Sequence, residues 1–422
     1  MRSLPRAAAR TLPYPFRRSD GHRFRMIILH IIPTCNPEYG GPIEGIFTSA
    51  PALRAQGCDR EIVSLDMPTD PWVKASPVRV YPMGNPSPAY HTWKKRIPFL
   101  RYGYSPAIVP WIRENAKRYD AVIVNGLWNF ASLAARQALV GSDTRYFVYA
   151  HGMLDPYFNK ISPVKAFFKQ LLWWVSEGRL INNATSVMFV TKEERELAKT
   201  SFWPYRARAQ VVPYGIVDVS GDAEAQVKSF RDVVPELGDR RFLLFLSRIH
   251  PKKGCDILVE AFAKMAAGDP ELDLVIAGPD SVGAVKELRE VAAQRGVADR
   301  IHWPGMLKGD LKWGAFRACD AFILPSHQEN FGIVIAEALA CGKPVLTTNK
   351  VATWREVAEN NAGFVENDDL AGAIRLIERF LSLSPLEKQE MSKRARATYL
   401  TKFDMGSMAP ELIEAFRTSQ AA

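Results

Sequence analysis

The stretch Ala321–Val345 reads AFILPSHQENFGIVIAEALACGKPV. Its first four residues are an apolar run of the length and kind found in a buried parallel strand. A short polar loop follows, and a helix is predicted to begin near Gly332 with Glu337 inside it. The opening turn of such a helix leaves the N–H groups of Phe331, Gly332, Ile333 and Val334 unpaired, and the helix dipole adds positive potential there. That combination cradles an anion such as a diphosphate. Gly332 lets a ligand approach the backbone closely, and Asn330, Phe331, Gly332 and Ile333 are the candidates to touch it. Glu329 and Glu337 stand on either side. An ionised carboxylate accepts two hydroxyl protons at once, which suits the vicinal hydroxyls of a sugar or ribose. A structural helix with one capping and one surface glutamate is the competing reading of the same spacing.

Working outward, the same alternation recurs. Apolar runs stand at Phe242–Leu246, Leu274–Ala277, Ile301–Trp303, Ala321–Leu324 and Pro344–Leu346, with helices predicted over 254–267, 283–295, 308–318 and 332–341. Nearer the N-terminus the runs are Met26–Ile32, Glu61–Leu65, Ala121–Val124, Phe147–Ala150 and Ser186–Val190. Pro33–Pro42, a Gly/Pro-rich loop, and a helix over Ile43–Gln56 follow the first of these. Alternating strands and helices imply parallel sheets, and 422 residues are too many for one core. The expected fold class is therefore α/β: two doubly wound, Rossmann-like domains facing across a cleft. The expected division is 26–220 for the N-terminal domain and 221–385 for the C-terminal one. A linker is placed around 218–238, and a helix over 386–422 is expected to pack back on the first domain. Doubly wound domains bind ligands beyond the carboxyl ends of their strands, so residues just after strands are where chemistry is sought.

Residues 1–25 carry seven arginines against one acid, Asp20, and no apolar run. They read as a disordered basic tail or an over-extended start before Met26. Without them the formal charge of +10 shrinks to a mildly basic body. Such a body suits anionic substrates or an anionic membrane face and speaks against nucleic acid as a partner. Five scattered cysteines with no metal-type spacing fit a reducing cytoplasm, and no run reaches the roughly 20 apolar residues of a spanning helix.

Glu329 and Glu337, seven residues between them, followed by Gly342-Lys343-Pro344-Val345, resemble the signature of the retaining glycosyltransferases of family 4. Those enzymes have the GT-B fold, and many build bacterial surface polysaccharide. The resemblance runs through most of the chain from Met26 and is tightest over 242–345. It implies that Arg248, directly after a strand, and Lys253, before Gly254, grip the diphosphate of a UDP- or GDP-sugar, with Lys252 the rival for Lys253. A planar fork and a point charge both stabilise a departing pyrophosphate. The resemblance also implies that Gly41, in the pair Gly40-Gly41, approaches the phosphates, that His151 lies near the transferred sugar, and that Met306 touches the base. An ordinary turn and a structural histidine are the alternatives for Gly41 and His151. Asp155 is read as orienting His151 or receiving an acceptor hydroxyl. The departures are Asn349-Lys350-Val351-Ala352, where the family offers a Gly-Gly turn, and residues 66–115, which match nothing and fall to acceptor recognition.

The expected activity is metal-independent, cofactor-free, retaining transfer from a nucleotide-sugar to a saccharide acceptor, lipid-linked, in polysaccharide synthesis. His151, Arg248, Lys253 and Glu329 would be catalytic. No Asp-x-Asp follows a strand, so Arg248 and Lys253 would replace a divalent ion. A nucleotide-sugar epimerase, a phosphorylase and a catalytically silent sugar-nucleotide sensor remain the alternatives; a dehydrogenase is disfavoured because no GxGxxG follows either opening strand.

One further segment bears on location. In KISPVKAFFKQLLWWVS (160–176), Val164, Phe167, Phe168, Leu171, Leu172 and Val175 make one helical stripe. The stripe is expected to pack on the core, leaving Lys165, Lys169 and Trp173 exposed. With Trp93–Tyr102 (WKKRIPFLRY) they form two basic-aromatic runs suited to an anionic membrane surface, which would place the protein peripherally on the inner face of the plasma membrane.

Overall fold

The computed structural model describes residues 26–96, 102–157, 159 and 162–418. The basic tail expected at 1–25, Lys160 and Ile161 of the first basic-aromatic run and Ile97–Arg101 of the second lie outside them. Seven strands form the first sheet: β1 (Met26–Ile32), β2 (Cys58–Ser64), β3 (Arg79–Pro82), β4 (Ala121–Asn125), β5 (Tyr146–Tyr149), β6 (Ser186–Phe189) and β7 (Ala209–Val211), in the order β3-β2-β1-β4-β5-β6-β7. Six form the second: β8 (Arg241–Leu246), β9 (Leu272–Ala277), β10 (Ile301–Gly305), β11 (Ala321–Leu324), β12 (Val345–Thr348) and β13 (Gly363–Glu366), in the order β10-β9-β8-β11-β12-β13. Neighbouring strands are parallel in both sheets. The strand order reverses between β1 and β4 and again between β8 and β11, so each sheet has one switch point where the loops part into a crevice.

The central strands are the apolar runs of the sequence, and they are buried: Ile28, Leu29, Ile31, Phe242–Phe245 and Ala321–Leu324. β3, β7 and β13 are edge strands, mostly half-buried or exposed. Their solvated faces need no hydrophobic residues, so no apolar run betrays them. The helix over 43–56 is observed as Gly41–Ala55, and those over 254–267, 283–295, 308–318 and 332–341 as Cys255–Met265, Val285–Gln294, Asp310–Ala318 and Ile333–Ala340.

Three sequence expectations are corrected. Residues 218–238 are not simply a linker, because Ala223–Val233 is a helix whose Phe230 packs in the second core, 5.6 Å from the Phe242 ring. The acids that made it read as a linker are its N-cap, Asp222, and first-turn Glu224. The C-terminal helical stretch is two helices. Pro385–Lys402 buries Met391, Ala395 and Tyr399, the last two within the second core, whereas Met405–Thr418 places Ala409, Leu412, Ile413 and Phe416 in one cluster with Met26, Ile28, Ile123 and Phe147 of the first sheet. Where the chain crosses back it runs beside its outward crossing: Ile216 N donates to Phe403 O at 2.8 Å and Met405 N to Ile216 O at 3.0 Å.

The third correction concerns 160–176. Helix Pro163–Leu172 buries no residue, and Val164, Phe167, Phe168, Leu171 and Val175 face solvent. Trp173, expected outside, is 1 % exposed. Its ring stacks on Phe202 at 5.3 Å and its Nε1 donates to Pro204 O, at the start of a π-helical turn, Trp173–Glu177. The polar side faces the body: Lys169 Nζ lies 5.1 Å from the Trp128 ring, and Gln170 Nε2 donates to Trp203 O. Helical periodicity shows that a stripe shares one face, not which face meets the protein.

Phe416 is fully buried, edge-on to Phe147 at 5.3 Å. Phe416→Ala is therefore expected to cost about 3–5 kcal/mol. Urea unfolding followed in the N-terminal domain would show it, and a loss below ~1 kcal/mol would mean the final helix is not part of that core.

Candidate active site

β11 ends at Leu324 and the chain turns through Pro325–Gly332 into helix Ile333–Ala340. Gly332 caps that helix at φ 72°, a left-handed conformation in which a side chain would be strained, and a Cβ there would lie 3.3 Å from the Glu329 side chain. The Phe331 ring is not available to a ligand. It packs edge-on to Tyr214 at 4.9 Å and to Phe403 at 5.8 Å, anchoring the loop while its backbone stays at the helix start. The segment 349–352, which departs from the family pattern, clasps the same loop: Glu329 N donates to Lys350 O and Ala352 N to Glu329 O, at 3.1 and 3.0 Å. Those backbone bonds hold Glu329 without a Gly-Gly turn.

Lys253 stands before Gly254, whose φ is 66° and where a Cβ would sit 2.1 Å from Pro325 O; only glycine fits. The turn therefore locks the end of β8 against the loop after β11, and Lys253 Nζ donates to Glu329 Oε2. Burial, reinforced by Arg248 and Lys252, pulls the Lys253 ammonium down to about 8. Arg248 is exposed on the rim nearby. Lys252, the rival, instead places its ammonium over the Tyr157 ring at 4.1 Å.

Glu337 is buried and receives Lys312 Nζ at 2.7 Å. Burial raises its pKa, Lys312 lowers it, and Glu44 of the N-terminal domain raises it again. Lys312 was not legible in the sequence, because it lies 25 positions away on another helix. Met306 stands exposed after β10.

The N-terminal domain meets this loop. Gly41 opens helix Gly41–Ala55, and a Cβ on it would come within 4.0 Å of Ile333 Cδ1, so the two helix N-termini lie at one place. A Cβ on Gly152 would lie 1.6 Å from Asn330 Nδ2, which puts the Asn330 amide over the turn that carries His151. Asp155 does not orient His151. One of its carboxylate oxygens receives Tyr157 N at 2.9 Å and the other Gln328 Nε2 from across the cleft. Arg355 to Glu193 is a second cross-cleft pair.

His151 is oriented by Asn125, at the end of β4. The Asn125 amide nitrogen faces three acceptors: Ile31 O (3.4 Å), Ile123 O (3.3 Å) and His30 Nδ1 (3.2 Å). Its oxygen must then face His151 Nε2, 3.2 Å away, and that nitrogen carries the proton. Nδ1 is left as an acceptor. His151 has φ 49°, unusual for a non-glycine residue, and its ring stacks on Tyr149 at 5.4 Å. Burial drops its pKa to about 4, so it is neutral at physiological pH. Asn125 follows the run AVIV directly, and the rule of looking just after strands would have found it.

Comparison with known proteins assigns both halves. Residues 40–215 match the model of the glycosyl transferase 4-like domain, and residues 226–398 that of glycosyl transferases group 1. A D-inositol 3-phosphate glycosyltransferase of Geodermatophilus obscurus is 30 % identical over 214 residues, 48 % of this chain and 47 % of its own. The namesake from Thermomonospora curvata is 37 % identical over 149 residues, 33 % and 35 % of the two chains. The chain thus spans about half the length of the first of these curated relatives, and less of the second. Among solved structures, Anabaena HepE with UDP and glucose superposes with a TM-score of 0.69 at 18 % identity, covering 93 % of this chain and all of that one. WaaG, a glycosyltransferase involved in lipopolysaccharide biosynthesis, gives 0.60 at 18 % identity, covering 94 % and 100 %. At such identities these structures show the fold, which is GT-B: two parallel-sheet, Rossmann-like domains.

The Asn125–His151 bond has a spectroscopic consequence. Long-range 1H–15N NMR should show His151 neutral and protonated on Nε2 from pH 5 to 8 (its pKa being about 4). In Asn125→Ala the Nδ1-protonated form should appear. An unchanged tautomer in the variant would show that Asn125 does not set it.

Proposed function

Both halves of the chain belong to the glycosyltransferases of the GT-B fold, and on that premise we propose that the protein transfers a sugar, with retention, from a UDP- or GDP-sugar to a saccharide acceptor. We further propose that it needs no metal or other cofactor, and that its acceptor is lipid-linked, used in polysaccharide synthesis on the inner face of the plasma membrane. The observation that carries the reading is the convergence of Lys253, Glu329 and the starts of helices Ile333–Ala340 and Gly41–Ala55 on the crevice, with Arg248 on its rim.

The diphosphate is placed beside the two helix starts, which approach each other at Gly41 and Ile333 and whose dipoles favour an anion. Lys253, which donates to Glu329, turns to the diphosphate and joins Arg248 in stabilising the leaving group. Glu329 is then free to accept hydroxyl protons from the donor sugar, and Glu337 from the ribose. His151 Nδ1 accepts one more hydroxyl of the sugar. The bond from the anomeric carbon to the diphosphate breaks as the acceptor oxygen bonds to the same face. The acceptor's proton passes to the departing phosphate oxygen, and no protein nucleophile is required.

Thermal shift with UDP-, GDP- and ADP-sugars tests the donor class. A donor at 100 times its dissociation constant stabilises by about 2.7 kcal/mol, and no shift with any of them would overturn the reading. D-inositol 3-phosphate, which figures in the curated relatives' names, is the soluble acceptor to try first. An inverted anomer, or loss of turnover with a chelator, would overturn the mechanism.

Arg248→Ala and Lys253→Ala are each expected to lower kcat about a hundredfold, the effect of removing one preorganised donor at a developing charge. Glu337→Gln should instead raise the nucleotide Kd while kcat at saturation changes little, because the ribose is remote from bond breaking. Isothermal titration with UDP and GDP, beside steady-state rates, separates the two classes. Near-native rates in both cation variants would move the donor site elsewhere.

A further inference from the structure

Among the described residues, the outward face of helix Pro163–Leu172 is an apolar surface that neither core explains. Val164, Phe167, Phe168 and Leu171 continue into Trp174 and Val175, and all six are exposed, Phe167 and Phe168 by 61 % and 60 %. Trp203, 73 % exposed, extends the patch, because the Trp174 indole donates to its carbonyl at 2.8 Å and Gln170 Oε1 accepts from its N–H. Four half-exposed aromatic rings of ~200 Å2 each contribute roughly 400 Å2 before the aliphatic side chains are added, the size at which an apolar patch is commonly functional.

We propose that this face inserts into the interface of an anionic lipid bilayer and that the helix lies in the membrane plane. The inference rests on the acceptor reading above, and it supplies the surface by which a lipid-linked acceptor would be met.

Charge selects the occupant. Helix Pro163–Leu172 carries Lys165 and Lys169 and no acid, and helix Pro88–Arg96 likewise has no acid and ends on the exposed Arg96. The two helices meet on one rim. Lys169 covers the Trp128 ring, and the helix Pro88–Arg96 reaches the neighbouring Phe130 through Tyr90 and Tyr104, whose rings are 6.3 Å apart, with Tyr104 5.1 Å from Phe130. Trp93 and Arg96 on that helix are exposed. Exposed cations beside an apolar, aromatic-rich face, here Lys165 and Arg96, are the composition of an in-plane amphipathic helix, with the rings at the headgroup level and those cations on lipid phosphates. A second copy of the chain would bring like charges together across a two-fold interface. At ten residues the helix is far too short to span, and among the described residues no helix is long and apolar enough to do so.

The rim also has the right place. Residues 126–130 follow β4, which ends at Asn125, the residue bonded to His151. A bilayer seated on the aromatic rim therefore lies at the N-terminal lip of the crevice, where the acceptor must enter.

The test compares the full chain with Phe167→Ser/Phe168→Ser, a pair that packs on nothing in the core. Co-sedimentation uses vesicles of phosphatidylcholine alone or mixed with phosphatidylglycerol, at low and high salt, with tryptophan emission as a second signal. Binding is expected to the mixed vesicles only, weakened by salt, with a blue shift, and about tenfold weaker in the double variant. Equal binding of variant and parent, indifference to phosphatidylglycerol, or no binding at low salt overturns the proposal. So does a dimer in light scattering that the variant abolishes without vesicle binding in either protein. UDP-sugar thermal shift, run in parallel, keeps the two readings apart. A shift retained in a chain that ignores vesicles removes only the docking face, whereas vesicle binding without any nucleotide-sugar shift removes the donor reading.

Discussion

A parallel strand has helices on both faces and must be apolar on both, so the chain can return to the next strand only by a crossover. That constraint organises both halves of this protein. Every crossover brings the chain back to the same edge, so all strands of a sheet end on one side, where loops need no regular geometry. The reversal of order at β1/β4 and at β8/β11 parts those loops and leaves a crevice in each sheet. Asn125 ends a strand of the first sheet and Gly41 and His151 lie beyond strand ends of it, while Arg248, Lys253 and Glu329 lie beyond strand ends of the second. Chemistry collects at the crevice because that is where backbone and side chains are freed from sheet and core.

Within it, charge sets the geometry. An ammonium as buried as that of Lys253 is costly unless an anion faces it, and Glu329 does so, itself held by backbone bonds to Lys350 and Ala352. Gly254 makes the approach possible, since any side chain would strike Pro325 O. The carboxylate of Glu337 is balanced in the same way by Lys312. Two part-buried ion pairs thus stand at the crevice, each joining a carboxylate to a lysine from another segment. On the proposed reading, a ligand bearing hydroxyls and phosphate would exchange partners with the Lys253–Glu329 pair without stranding a charge.

The halves are tied at three levels. The crossings at Ile216 and Phe403–Met405 run side by side, the last helix is built into the first sheet's core, and Gln328 with Asp155 and Arg355 with Glu193 bridge the cleft. The bridges differ in strength by burial. Asp155 is buried, so its bond to Gln328 is little screened, whereas Arg355 and Glu193 are solvated and weaken with salt. The crossings are backbone-bonded and the shared core is hydrophobic, so these ties between the halves are insensitive to salt.

The sequence by itself determined the class of fold, because a strand buried on both faces writes an uninterrupted apolar run, as at Ala121–Val124, Phe242–Leu246 and Ala321–Leu324. It also marked Gly332, Gly254, Lys253, Glu329 and Glu337, since conformational need and charge after a strand are local properties of the chain. Edge strands β3, β7 and β13 escaped, as solvated faces carry no pattern, and the acids of Ala223–Val233 read as linker although they cap a helix. Tertiary structure alone decided the partners: Lys312 for Glu337, Asn125 for His151 and Gln328 for Asp155, each joined across loops whose closure leaves no trace in local composition. It alone decided, too, that the apolar stripe of Pro163–Leu172 faces outward. Periodicity orders side chains around one helix, but which side is buried depends on what the rest of the chain brings against it, and here Trp173, stacked on Phe202, turns that stripe to solvent.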